Sequence, residues 1–293
     1  MSKIGFIGLG LMGGAMVGRL LDKGHELVVL GNRDRTYIDP AIARGAKEAA
    51  NAFEVAQASD IVMLCMGTSD QVEGRMRGDQ GVIAGLNAGA VVIDFGTSLP
   101  ASTKALGAEV AAAGGAYLDA PLGRTPAHAV DGLLNIMCSG DKAAFDKVKP
   151  VLDDLGENVF HLGALGSGHT IKLINNFFGM TVANAMAEAF AMADVQGVDR
   201  EGLYDVMSAG PLHSGMMDFV KSYGVDGNPA QLAFAIKNAA KDVGYYATMA
   251  DDAGVTSLMS QSTLKALNTA RDEGRGDDMV SQMVDFYADK MKP

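Results

Sequence analysis

Short apolar runs alternate with amphipathic stretches through the first half of the chain. Lys3 to Ile7, Glu26 to Leu30, Ile61 to Met66, Ala90 to Phe95, Ala116 to Leu118 and Leu133 to Cys138 have strand length, are rich in Val and Ile, and are bounded by Gly, Asp or Pro. Most are separated by segments of helical character such as Gly14 to Lys23, Phe53 to Ala58 and Ser102 to Ala113. Strand, helix, strand repetition implies parallel pairing through right-handed crossovers, which predicts an α/β fold with a doubly wound sheet.

Near Gly163 the pattern changes. Thr170 to Gln196 contains no proline and a single glycine, Gly179, so it predicts one helix of about 27 residues, roughly 40 Å long at 1.5 Å per residue. Its apolar positions, among them Ile171, Leu173, Ile174, Phe177, Phe178 and Met180, wrap most of the circumference, which predicts burial on several sides. Asp199 to Ser208, Ala230 to Asp251, Thr256 to Glu273 and Asp277 to Met291 read as further helices, with no convincing strand between them. The expected organisation is a Rossmann-type domain over 1–163, followed by an all-helical substrate and oligomerisation domain over 164–293.

Composition narrows the function. Lysine plus arginine number 24 against 35 acidic residues, a formal charge of −11, which disfavours nucleic acid and anionic membranes as partners and points to small molecules. The 293 residues suffice for two cores without disulfides, and Cys65 and Cys138 each lie inside an apolar run, with no metal-binding spacing. No metal is expected, and two core thiols fit a reducing cytoplasm. Glycines at 5, 8, 10, 13, 14 and 18 interrupt the apolar N-terminus, which therefore reads as fold rather than as a leader.

Candidate chemistry begins at Gly8-Leu9-Gly10-Leu11-Met12-Gly13, a G-x-G-x-x-G between an expected strand and an expected helix. In that setting the first glycine allows the tight turn, the second lets the backbone approach a pyrophosphate, and the third lets helix and strand pack closely. The second strand leads into Gly31-Asn32-Arg33-Asp34-Arg35-Thr36, with no carboxylate at the strand end and two arginines suited to a ribose 2′-phosphate. NADP is favoured, with NAD the alternative if Asp34 meets the ribose. Further on, Lys172, Asn175 and Asn176 are spaced i, i+3, i+4 and share one face of the long helix. The functional reading is a lysine that protonates a carbonyl oxygen while an asparagine holds the neighbouring substrate group; the plain alternative is a helix that bonds to loops.

The G-x-G-x-x-G, then Asp119-Ala120-Pro121, then Gly166-x-Gly168-x-x-x-Lys172-x-x-Asn175-Asn176, then Lys241-Asp242, resemble in order and spacing the β-hydroxyacid dehydrogenase family, which includes 3-hydroxyisobutyrate dehydrogenase. The resemblance implies that Lys172 is the catalytic acid/base between the two domains. It implies cofactor contacts at Met66, Thr97 and Lys241 beside Gly8, Gly10, Leu11, Met12, Gly13, Asn32, Arg33 and Arg35, and substrate contacts at Asn175, Asn176 and the loop after Pro121. Where the family commonly has Ser-Gly-Gly, this loop reads Gly123-Arg124-Thr125, which is similar to the sulfolactaldehyde reductase branch; Gly179 departs from the serine that branch often carries. Asp94-Phe95-Gly96-Thr97 departs from the family's D-x-S-T in having Gly96 for the serine.

The expected activity is an NAD(P)-dependent interconversion of a short anionic semialdehyde and its hydroxy acid, in a homodimer or homotetramer. The rival enzyme is a 3-hydroxyisobutyrate- or γ-hydroxybutyrate-type dehydrogenase in which Arg124 meets a carboxylate. The rival from another class is a dinucleotide-binding interaction protein that has lost catalysis, against which the intact Lys172, Asn175 and Asn176 speak.

Overall fold

The structure, a computed structural model, describes residues 2–292, and two compact units divide between Lys172 and Leu173. In the first unit nine strands form the sheet: β1 (Lys3–Ile7), β2 (Glu26–Leu30), β3 (Lys47–Ala49), β4 (Ile61–Leu64), β5 (Val91–Asp94), β6 (Ala116–Asp119), β7 (Leu122–Gly123), β8 (Leu134–Gly140) and β9 (Gly156–His161). Their order is β3-β2-β1-β4-β5-β6-β8-β7, with β9 beside β8. The chain leaves β1 toward β2 and β3, then returns to β4 on the other side, so strand order reverses between β1 and β4. Open parallel sheets bind ligands at the carboxyl ends beside such a reversal.

Strands β1 to β6 pair in parallel, as the alternation predicts. Beyond them the sheet departs from that expectation, because β8 runs antiparallel to both β6 and β7. Strands β3, β7 and β9 are additions to the six expected. Lys-Glu-Ala at β3 has no apolar run, β7 has two residues, and β9 alternates only partly buried positions. Successive side chains along a strand face opposite ways. Accordingly Ile4 and Phe6 join Met16, Val17 and Leu20 in one core layer, while Ile7 joins Val55, Val62 and Leu64 in another.

The second unit is helical. Its spine helix, Ser167–Gln196, begins in the first unit and runs three residues longer at its start than the pattern suggests. Met180, Ala183, Ala187 and Phe190 pack with Val220, Ile236, Val243, Leu267 and Val284. Burial on several sides is not what the single chain has: Ile174, Phe178 and Val195 are 48%, 69% and 49% exposed, because neighbouring helices cover one face. The Gly215–Gly224 helix is not among the expected helices, and its start carries a Ser214 side-chain cap on the Met217 N–H. Three of the expected helices are shorter, at Ile236–Asp252, Leu258–Ala270 and Met283–Lys290, with Pro229–Leu232 a separate 3₁₀ turn ahead of the first. Among the described residues, no helix is long and apolar enough to cross a membrane.

Candidate active site

The glycine motif folds as its chemistry requires. Gly8 has φ +97°, and a Cβ there would lie 2.3 Å from the Cys65 carbonyl oxygen; one on Gly13 would lie 2.0 Å from the Gly8 oxygen. Those two glycines are thus accounted for by the protein's own backbone. Gly10 is not: a Cβ there meets nothing within 4 Å. Its bare backbone, at the start of the Leu11–Asp22 helix and without a side-chain cap, suits an anion that must come close to main-chain N–H groups at the positive end of the helix. The residues present therefore fit a dinucleotide pyrophosphate, and Gly10, Leu11 and Met12 stand at this helix start.

At the end of β2 an open cleft of about 700 Å³ is lined by Gly31, Asn32, Arg33, Arg35, Glu48, Ala49 and Ala50. Asn32 accepts the Arg33 N–H at 2.7 Å. Asp34, the residue that argues for NAD, accepts the Thr36 N–H at 2.9 Å, and the Thr36 hydroxyl and N–H hold its carboxyl below the usual range. Its carboxylate is engaged in the turn. Arg35 donates to both oxygens of Glu48, at 2.5 and 3.0 Å, and to Asp39 at 2.9 Å. The Arg33 guanidinium makes no hydrogen bond or ion pair among the described residues.

Adjacent strand ends bring the next candidates to the same edge of the sheet. Met66 follows β4, and its sulfur would lie 2.8 Å from a Cβ on Gly8; its carbonyl oxygen would lie 3.0 Å from one on Gly96, next to Thr97. Asp94, fully buried at the end of β5, accepts the Gly96 N–H and the Ser98 hydroxyl, both at 2.8 Å. Burial, with Asp94 nearby, pushes the Cys65 thiol up to about 12, and burial does the same for Cys138. Both thiols behave as core groups.

Asp119, at the end of β6, explains the Gly166-x-Gly168 motif. Its carboxylate accepts the Gly166 and His169 N–H groups at 2.8 Å each and the Ser139 hydroxyl, while Ser139 accepts the Gly168 N–H at 2.9 Å. Gly166 has φ +92°, and a Cβ on Gly168 would lie 2.2 Å from the Met137 carbonyl oxygen. His169, fully buried, approaches the Thr103 hydroxyl through Nδ1 at 2.7 Å. The first turn of the spine helix is therefore tied to the carboxyl edge of the sheet, and Lys172 stands on the next turn.

Lys172, Asn175 and Asn176 follow one face of that continuous helix. Within the second unit, Asn175 donates to Asn176 at 3.3 Å, and Asn176, buried, donates to Asp242 at 2.6 Å. Lys241 lies 2.9 Å from the other oxygen of Asp242 and 5.3 Å from the Tyr245 ring centre. Asp242 thus joins Lys241 to the asparagine pair. Sequence reasoning quoted it beside Lys241 without giving it a role, and it missed Glu48 altogether.

The loop after Pro121 holds the one described non-glycine residue at positive φ, Arg124 at +76°. Its Nη1 donates to the Leu133 carbonyl at 2.7 Å and meets Glu157 at 2.5 Å. Thr125 pairs with His128 Nδ1 at 2.7 Å, and Gly123 lies on β7 opposite Asn135. In this arrangement Arg124 Nη1 is engaged with Glu157 on β9 and with Leu133, the residue before β8. His213 sits 2.9 Å from Asp218 and joins none of these groups.

Comparison with known proteins covers almost the whole chain. Residues 3–163 match the family model for the NAD binding domain of 6-phosphogluconate dehydrogenase, and residues 166–287 match that for the NAD-binding region of NADP-dependent 3-hydroxyisobutyrate dehydrogenase. The chain is 30% identical over 276 residues to 3-sulfolactaldehyde reductase of Escherichia coli, covering 94% of this chain and 92% of the relative. It is 29% identical over 286 residues to 2-(hydroxymethyl)glutarate dehydrogenase of Eubacterium barkeri, covering 97% and 94%. A solved structure of 3-hydroxyisobutyrate dehydrogenase from Mycobacterium tuberculosis shares the fold, with a TM-score of 0.84, 24% identity, and 98% and 99% of the two chains covered.

Proposed function

Since the chain belongs to the β-hydroxyacid dehydrogenase family and is an NAD(P)-dependent hydroxyacid dehydrogenase or reductase, we propose that it interconverts a short anionic semialdehyde and its hydroxy acid, with Lys172 as acid/base. The observation that carries this reading is the Asp119 tether, which fixes the turn before Lys172 at the sheet edge where Gly8, Gly10 and Gly13 form the anion cradle. Residues 1–163 bind the dinucleotide in this proposal, and 164–293 supply substrate contacts and self-association.

When bound, the nicotinamide supplies or accepts the hydride at the substrate carbon. Gly10, Leu11 and Met12 would hold the pyrophosphate through main-chain N–H groups, with Met66 and Thr97 at the same sheet edge as further cofactor contacts, and the family resemblance adds Lys241. Lys172 Nζ gives a proton to the carbonyl oxygen in reduction and takes it from the hydroxyl in oxidation. Asn175 and Asn176 orient the neighbouring substrate group, and Asp242 fixes the Asn176 amide so that less ordering is left to the moment of reaction. NADP is the preferred dinucleotide, supported by Arg33, whose guanidinium makes no hydrogen bond or ion pair among the described residues.

Two readings of the acid group stand on different observations. A sulfonate is supported by Arg124 in the loop and by the likeness to the E. coli sulfolactaldehyde reductase. A carboxylate is favoured by the engagement of that same arginine with Glu157 and Leu133, which leaves Gly123 and Thr125 for the anion. Assay of short aldehydes bearing sulfonate, carboxylate or phosphate, with NADPH and with NADH, tests the proposal. Turnover of at least one is expected, and Lys172→Ala should lower kcat by about 10²-fold or more with dinucleotide affinity little changed. Near-normal turnover in that variant removes Lys172 from the mechanism. Exposed Ile174, Phe178 and Val195 on the spine helix support the proposal of a homodimer or homotetramer.

A further inference from the structure

The second strand ends without a carboxylate of its own, yet one stands beside it. Glu48, on β3, places Oε1 where a Cβ on Gly31 would lie only 2.0 Å away, so the glycine is what admits the carboxylate to the end of β2. That is the region where a dinucleotide presents its ribose 2′ substituent. Here Glu48 holds the Arg35 fork by both oxygens, and Asp39 takes the Nε–H. Glu48 is held below the usual carboxylate range, first by the Arg35 hydrogen bonds, and so remains charged. The charged groups lining the cleft are Arg33, Arg35 and Glu48. Arg35 is thus paired with two carboxylates, Glu48 and Asp39, which leaves the Arg33 guanidinium as the cation of the cleft lining available to a 2′-phosphate.

We propose that Glu48 is a cofactor-specificity determinant, limiting the preference for NADP over NAD by holding Arg35 in a two-point ion pair beside Gly31. The inference rests on the dinucleotide-binding reading and deepens it. A dianionic 2′-phosphate gains from Arg33, but it finds Arg35 already paired and a carboxylate within the cleft. A 2′-hydroxyl carries no charge and meets neither penalty. Arg33 and Arg35 therefore do not act as an equivalent pair: Arg33 recognises, and Arg35 is held in reserve by Glu48.

The test is the ratio of NADH to NADPH dissociation constants, measured by fluorescence titration of the full-length protein at low salt. Glu48→Gln keeps the side-chain shape and removes the charge. Because both partners are partly exposed, the gain is modest: the ratio should move toward NADPH by about fivefold, and the shift should shrink at high salt. Arg35→Ala leaves the Glu48 carboxylate unpaired and should move the ratio the other way, so the two variants check the proposal in opposite directions. An unchanged ratio in folded Glu48→Gln, or a move toward NADPH in Arg35→Ala, overturns it. Wild-type protein that binds neither dinucleotide overturns instead the reading on which it rests.

Discussion

Arg124 illustrates how far one residue can be read from its neighbours in sequence. An L-residue at φ +76° sits in a region where glycine is at ease and other side chains lose about 1–2 kcal/mol. Retaining an arginine there implies that its side chain returns something. The geometry offers the Glu157 pair, which is partly exposed and correspondingly weak, and the Leu133 carbonyl. If the guanidinium exchanges Glu157 for a three-oxygen anion, Arg124→Gly should lower the sulfonate-to-carboxylate ratio of kcat/KM by about tenfold or more, the loss of one charge-assisted contact. Glu157→Gln should raise it. Ratios that stay put in both variants would identify a structural clamp and leave the carboxylate reading standing. The arginine itself was legible as a departure from the family's glycine. Its partner was not, because Glu157 lies on a strand whose pairing no local pattern announces.

At the scale of elements, the carboxyl end of β6 and the start of the spine helix form one hydrogen-bonded unit. Asp119, buried, accepts two backbone N–H groups and one hydroxyl. An asparagine keeps the size but turns one acceptor into a donor facing a donor, leaving a buried group unsatisfied at about 1–3 kcal/mol. Asp119→Asn should therefore lower stability to urea by that amount and lower kcat more than it raises KM, since the turn it anchors leads directly into the one that carries Lys172. A KM-only effect would separate the tether from proton transfer. Five strands were legible because both faces of a strand in the parallel run are largely apolar, and β8, antiparallel to β6 and β7, because it carries an apolar run of the same kind. β3 and β9 escaped because Lys-Glu-Ala and the half-buried Gly156–His161 carry no such signal. The Gly215–Gly224 helix had a signal that could have been used: Ser214 as an N-cap, three residues before Met217.

For the molecule as a whole, the sign of the charge opposes the proposed ligands. A formal charge of −11 repels an anionic aldehyde and a dinucleotide alike, so long-range encounter works against the enzyme and only local cations such as Lys172 and Arg33 favour capture. The order of motifs disclosed the Rossmann-then-helical organisation, whereas the placement of individual cations needed the fold. The two influences differ in range. Raising ionic strength from 0.01 to 0.1 M shortens the screening length from about 30 to about 10 Å, which removes most of the distant repulsion while leaving contacts of a few ångströms largely intact. Under saturating dinucleotide, kcat/KM for an anionic aldehyde should therefore rise over that interval, whereas an uncharged aldehyde of similar size should show no trend. A fall for the anionic substrate alone would mean that the field around the site is positive enough to steer it, and that net charge is the wrong guide to encounter in this protein.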